Sequence, residues 1–399
     1  MRLDMRAADR WLLPDGIEEV LPSRAIHIER LRRELLDLYH SWGYDLVIPP
    51  LLEFTESLLS GSGSDLDLLT FKLTDQLSGR TMGVRADITP QTARMDAHSL
   101  RRTGPCRLCY ADHVLYTRPR SVLESRSPLQ VGVEFYGESG PGADVEVISL
   151  MVESLQTAGL EQPHLEMGHV GIYRSLLEMA GLDRDCEAEL FRLLQAKALA
   201  EIAPWLEAYV VDEGVRDMLA RLPMLNGPIE VLTRAREELA EAPAELHAAL
   251  DELEYVATLV QEREPGTSLY FDLCELRGYH YHTGIVFAAF APGLGRSLGN
   301  GGRYDHIGEA FGRARPATGF ALDLTVLAEL ANWAPDEQPG IYARDDGDPG
   351  LWREIEQLRA SGERVICGFG EDTDLAELNC DRILVRDGET YRIQPLTSP

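Results

Sequence analysis

The stretch PLQVGVEFYG, Pro128 to Gly137, alternates with a period of two. Val131, Val133 and Phe135 point one way, and Gln130, Gly132 and Glu134 point the other. It reads as a strand with one apolar face and one face made of an amide, a gap and an acid. A solvated sheet face is one reading of the second set. The other is a binding surface, because an acid and an amide beside a glycine gap suit an ammonium group through charge-assisted hydrogen bonds.

The neighbours of this strand read as a mixed sheet with helices. ADHVLYTR is a strand before it, joined by the polar loop PRSVLESRS, and a helix follows from about Asp144 to Ala158. Upstream, Ser23 stands as the N-cap of a helix that carries Ile28, Leu31, Leu35, Leu38 and Trp42 and closes at Gly43. YDLVIPPLLEF is strand-like as far as Pro49 and Pro50, whose missing donors end the strand or hold it at an edge. FKLTD and TMGVRAD flank QLSGR as a hairpin. Thr89 and Pro90 supply an N-cap and a first-turn proline for the helix QTARMDAHSL, and Asp87 is placed to assist that helix dipole.

From about 183 to 264 the chain is rich in Ala, Leu and Glu and reads as consecutive helices inserted into the sheet. Strand signals return in TSLYFDLCELRGYHYHTGIVFAAFAP. GFALDLTVL, Gly319 to Leu327, reads as the start of a helix interrupted by Asp323 and Thr325. ANWAPDEQPG is a linker, and beyond it lies a small β-α-β-α-β unit with a terminal hairpin over Asp387 and Gly388. The expected division is a core over 1–330 carrying the 183–264 insertion, and a small α/β domain over 331–399.

A chain of 399 residues is long enough for two or three domains. Its net charge of −28 argues against non-specific nucleic-acid binding, which needs clustered Lys and Arg. No charge-free apolar run approaches the length of a bilayer span, and the N-terminus lacks a secretory h-region, so a cytoplasmic location is expected. PCRLC holds a CxxC pair with no second pair at zinc-site spacing, and His280 and His282 share a strand face with no third ligand. No metal and no cofactor are expected. Arg277 and Gly278 read as a bulge that aims a guanidinium at a carboxylate or phosphate. GNGGRYD is a glycine-rich turn without the spacing of a phosphate-binding loop, either a tight connection or a functional element.

Taken together, these stretches over roughly 10–330 resemble histidyl-tRNA synthetase, a class II aminoacyl-tRNA synthetase. WGYDLVIPPLLEF resembles motif 1, which builds the dimer interface in that family. VLYTRPRSVLESRSPLQVGVEFYG resembles motif 2, LRGYHYHTGIVF the histidine-specific motif, and GGRYD with PATGFALDLTVL motif 3. The resemblance implies an α+β fold: an antiparallel class II sheet flanked by helices.

It also implies which ligands are kept and which are lost. Gln130 and Glu134 match the family's amino-group ligands, Asp87 its acid, Thr89 its threonine, Arg277 its carboxylate-facing arginine and Tyr281 its first tyrosine, while His282 replaces the second. On the ATP side, Tyr116 takes the place of a phosphate-binding arginine, Arg118 that of a glutamate, Glu124 that of a loop arginine and Val326 that of the motif 3 arginine. Each lost contact to a desolvated phosphate costs about 2–5 kcal/mol. From Ala331 to Pro399, 15 acids face 7 arginines, a net of −8 and a poor tRNA surface.

This combination resembles the family of synthetase-like regulatory subunits of ATP phosphoribosyltransferase. It implies a non-catalytic role beside a short-form catalytic subunit in a hetero-oligomer, dimerisation, histidine as a ligand, and no tRNA. The alternatives are a divergent synthetase-like enzyme that activates an amino acid and a synthetase-like binding or scaffold protein.

Overall fold

The computed structural model describes residues 11–60, 64–119, 124–279, 281–331, 339–345, 347–368, 375 and 377–396. The chain forms two compact units, 1–332 and 333–399. The expected linker and His280 lie largely or wholly outside the described residues, as does much of TDLAELNC, 373–380, the stretch read as the second helix of the small C-terminal unit.

In the first unit the strands are β1 Asp45–Leu46, β2 Leu52–Phe54, β3 Phe71–Thr74, β4 Thr81–Val84, β5 Cys106–His113, β6 Leu129–Tyr136, β7 His164–His169, β8 Asn226–Gly227, β9 Ser268–Asp272, β10 Ile285–Phe290, β11 Gly299–Arg303 and β12 Ala317–Asp323. Nine of them form one sheet in the order β1-β5-β6-β12-β11-β10-β7-β9-β8. The sheet is largely antiparallel, as expected, with two parallel pairs, β1 with β5 and β7 with β9. β2, β4 and β3 make a separate antiparallel sheet that contains the expected hairpin.

Val131 and Val133 are fully buried and Phe135 nearly so on one face of β6. The helices Pro22–Ser41, Pro141–Thr157 and Ala244–Arg263 cover that side of the sheet. The first helix starts two residues earlier than the spacing implied. Pro22 takes the first turn, where its missing N–H costs nothing, so Leu21 and not Ser23 is the cap position.

Four further expectations change. The strand read over ADHVLYTR lies at Cys106–His113, and after it only Tyr116 makes an isolated bridge, to Thr70. The motif 1 strand shrinks to two residues and resumes as β2 beyond the prolines. GNGGRYD is not a turn: Gly299–Arg303 is an interior strand, and a Cβ at Gly301 would collide with Phe287 and with Gly319 O. GFALDLTVL is strand as far as Asp323 and helix only from Leu324 to Leu330. Pairing on both edges, with β6 and with β11, outweighs the local helical spacing.

The tract 183–264 is helical, over Arg184–Gln195, Leu199–Tyr209, Glu213–Arg221, Glu230–Glu238 and Ala244–Arg263. It also contributes β8 to the main sheet, which helical periodicity hides. Asp183 and Asp212 cap two of its helices through the N–H groups of Cys186 and Val215, each at 2.9 Å.

The second unit has β13 Gly340–Arg344, a helix Pro349–Ala360, β14 Val365–Gly368, β15 Cys380–Asp387 and β16 Thr390–Pro395, in sheet order β14-β13-β15-β16. β15 and β16 form the hairpin over Asp387 and Gly388.

Candidate functional site

Sheet register builds a cavity floor. Gln130, Gly132 and Glu134 on β6 lie opposite Asp323, Ala321 and Gly319 on β12. Ala321 and Gly319 in turn lie opposite Asn300 and Gly302 on β11, and these oppose Ala288 and Val286 on β10. One face of four adjacent strands thus carries glycine and alanine in the middle and polar groups at the ends. Above it is a cavity of about 430 Å3.

Asp87, Thr89, Gln130, Arg277 and Tyr281 all line this cavity. Glu134 lies just beneath it, 1% exposed. Its Oε1 accepts from Thr89 Oγ1 at 2.7 Å and from Tyr110 OH at 3.2 Å, while Oε2 has no partner among the described residues. That oxygen and the Tyr304 hydroxyl, also unpartnered, both occupy the space a Cβ on Gly319 would need. Gln130 gives its amide N–H to Asp87 Oδ1 at 3.3 Å and leaves its own oxygen unpartnered. Burial pushes the Glu134 carboxyl well above the carboxylate range, countered by the hydrogen bond from Thr89. An arriving ammonium would restore its charge.

Thr89 departs from its expected role. It is the first residue of the helix Thr89–Arg94, whose cap position is Ile88, and its hydroxyl serves Glu134. Asp87 does sit at the helix start, accepting from Ile88 N at 2.8 Å. The gap at Gly132 is also not free for a ligand. Tyr110, its cross-strand partner on β5, reaches over that position toward Glu134.

Tyr281 and His282 leave a turn, not a strand bulge: Gly278 adopts φ +65°, and its carbonyl accepts from the N–H groups of both. His282 Nδ1 lies 3.1 Å from the same carbonyl, which places the proton on that nitrogen. Burial lowers the His282 pKa to about 4, so the ring is neutral near pH 7. Tyr281 and Tyr304 pack at 4.9 Å between ring centroids, and the unpartnered hydroxyls of both remain buried beside the ligand space.

Tyr116, Glu124 and Asp323 line the opposite end. Arg296 lies there with Nη1 3.7 Å from Glu124 and 3.8 Å from Asp323. Asp323 also caps the helix Leu324–Leu330, accepting from Thr325 N at 3.1 Å and Val326 N at 3.3 Å. Arg118 is exposed and Val326 is buried on its helix; neither lines the cavity. Sequence reasoning missed Tyr110, Tyr304, Arg296, Glu166 and Glu275. Of these, Tyr304 sat inside the quoted GNGGRYD and Glu275 inside the quoted TSLYFDLCELRGYHYHTGIVFAAFAP, without being singled out.

The geometry has relatives. The histidyl-tRNA synthetase family model matches residues 16–327. A crystal structure from Bacillus halodurans, described as an ATP phosphoribosyltransferase regulatory subunit/histidyl-tRNA synthetase, superposes with a TM-score of 0.82 at 28% identity, covering 94% of this chain and 97% of that one. Histidyl-tRNA synthetase from Nostoc shares the fold with a TM-score of 0.76 at 18% identity, covering 94% of this chain and 91% of that one. The class is therefore that of the histidyl-tRNA-synthetase-like chains of class II architecture.

Residues 338–394 match a narrower model, the ATP phosphoribosyltransferase subunit HisZ C-terminal domain. Proteins called ATP phosphoribosyltransferase regulatory subunit from Saccharophagus degradans and Cellvibrio japonicus are 54% and 56% identical, over 98% and 99% of this chain and the whole of each relative. The chain belongs to the family of ATP phosphoribosyltransferase regulatory subunits.

Proposed function

We propose that this regulatory subunit senses histidine in the synthetase-like cavity and transmits its occupancy to a short-form ATP phosphoribosyltransferase catalytic subunit. Catalysis belongs to that partner. Histidine, the end product of the pathway, would place its ammonium among Glu134, Gln130 and Asp87, its carboxylate toward Arg277, and its ring beside Tyr281, Tyr304 and His282. The observation that carries this reading is the unpartnered Oε2 of a fully buried glutamate, aimed across Gly319 into a cavity of amino-acid size. The far end supports regulation over adenylation, because its one arginine among the described residues, Arg296, is flanked by Glu124 and Asp323, a net negative charge where phosphates would need cations.

The chain would work in the cytoplasm, within a hetero-oligomer, as a dimer through its motif 1 face and without tRNA. The 331–399 region would serve as a small C-terminal domain and the 183–264 tract as an insertion in the core. The test is reconstitution with a short-form catalytic chain. Activity should rise on mixing and fall with added histidine, and histidine should bind the isolated subunit in calorimetry. A partner that is fully active and equally histidine-sensitive alone, or histidine-dependent pyrophosphate exchange by the pure subunit, would overturn the proposal.

A further inference from the structure

Arg277 does not stand free in the cavity. Glu275 accepts from its Nε at 2.9 Å and its Nη2 at 2.6 Å, and Glu166 on β7 accepts from the same Nη2 at 2.5 Å. Only Nη1 is left for the ligand, with Asn300 Oδ1 at 3.5 Å. Two ionised carboxylates on one guanidinium make a cluster of net charge −1, which opposes the approach of a third carboxylate. Glu275 is the firmer partner, because it also accepts from the Arg277 backbone N–H at 2.7 Å.

The surroundings of Glu166 give it little compensation. Across the sheet it faces Ala288 on β10 and Tyr270 on β9. Asp272, at the end of β9, is held by Lys197 at 2.6 Å. His164, two residues along the same face of β7, is paired with Ser268 at 3.1 Å. The nearest cation, Arg277, is shared with Glu275.

We propose that Glu166 is a proton-linked positioning residue. When it takes a proton from solvent, the Glu275–Arg277 pair is left neutral and receives the ligand's carboxylate; when it ionises, that grip loosens. The inference rests on the reading that the cavity holds histidine. Burial, followed by the hydrogen bond with Glu275, pushes the Glu166 carboxyl up to about 7. Glu275, despite its own burial, is kept below the usual range by Arg277. Carboxylate affinity should therefore fall as pH rises through about 7, and binding should draw in a proton by reciprocity.

The test is calorimetry on the full-length subunit with histidine and with histidinol, which keeps the amine and ring and lacks the carboxylate. The ratio of the histidinol Kd to the histidine Kd cancels titration of the ligand ring. Between pH 6 and 8 that ratio should fall about fivefold or more in the wild type. In Glu166→Gln it should stay flat at the low-pH value. Heats measured in two buffers of different ionisation enthalpy give the proton count for each ligand. The count for histidine minus that for histidinol, in which release from Glu134 cancels, reports the uptake on the wild type alone, whatever the variant's folding. A flat wild-type ratio with no proton uptake, while histidine still binds, overturns this inference and leaves the histidine reading intact. Absence of histidine binding at every pH overturns both.

Discussion

Gln130 and Asp323 lie directly across from one another on β6 and β12. Gln130 bonds Asp87 on the side proposed to take an ammonium, and Asp323 shares Arg296 with Glu124 on the acidic side. A single cross-strand pair thus marks the border between the two sides of the cavity.

Glu134→Gln keeps the shape of the side chain and its bond from Thr89 but cannot regain a negative charge. Histidine affinity should drop by about 10- to 100-fold, in line with about 1.5–3 kcal/mol for a hydrogen bond to a charged group. Calorimetry on the isolated subunit reads this directly, and unchanged affinity would remove Glu134 from the ligand set.

Asp323 has two roles that substitution can separate. Asp323→Ala should cost about 1 kcal/mol through loss of the helix cap, read as a lower urea midpoint. Asp323→Asn keeps the cap and should stay within a few tenths of a kcal/mol. An alanine variant as stable as wild type would show that the cap contributes nothing.

Stability should also report Glu166. Its carboxyl ionises near 4.5 when unfolded and near 7 when folded, so the folded state holds the extra proton between those values. Stability from this group is present at low pH and is lost as pH rises from about 4.5 to 7. Glu166→Gln should therefore gain on the wild type at pH 8, by about 1–3 kcal/mol, and show little difference at pH 4. His282 gives the opposite slope. With its folded pKa lowered to about 4, it destabilises the fold as pH falls from about 6.5 toward 4. His282→Gln should flatten that acid limb in denaturation curves taken at several pH values.

Leu46, Ile48 and Leu51 are 51%, 77% and 51% exposed beside the two-residue edge strand β1. An apolar edge of this kind needs covering. Ile48→Glu should shift the subunit from the proposed dimer to monomer in sedimentation, and an unchanged mass would place any self-association surface elsewhere.

The alternation in Leu129–Tyr136 was legible because a period of two survives in any context, and it located Gln130 and Glu134 correctly on one face. Residues whose role depends on non-local register were not legible. Tyr110 reaches Glu134 only because β5 pairs with β6 at Gly132, and the strand reading of ADHVLYTR began one residue past it. Glu166 lies over one hundred positions from Arg277, and no spacing connects them. The strand at Gly319–Asp323 was hidden for a related reason: its apolar spacing fits a helix locally, and only pairing on both edges decides otherwise.

The floor of the cavity consists of what its strands leave out. At Gly319 and Gly302 any side chain would run into Glu134 and Tyr304, or into His282. A glycine codon becomes an alanine codon by one base change, so one methyl group pressed against these side chains would fill the space and end the proposed sensing without replacing any polar residue. A census of ligand-contacting side chains would score such a variant as intact, although it had become deaf to its ligand.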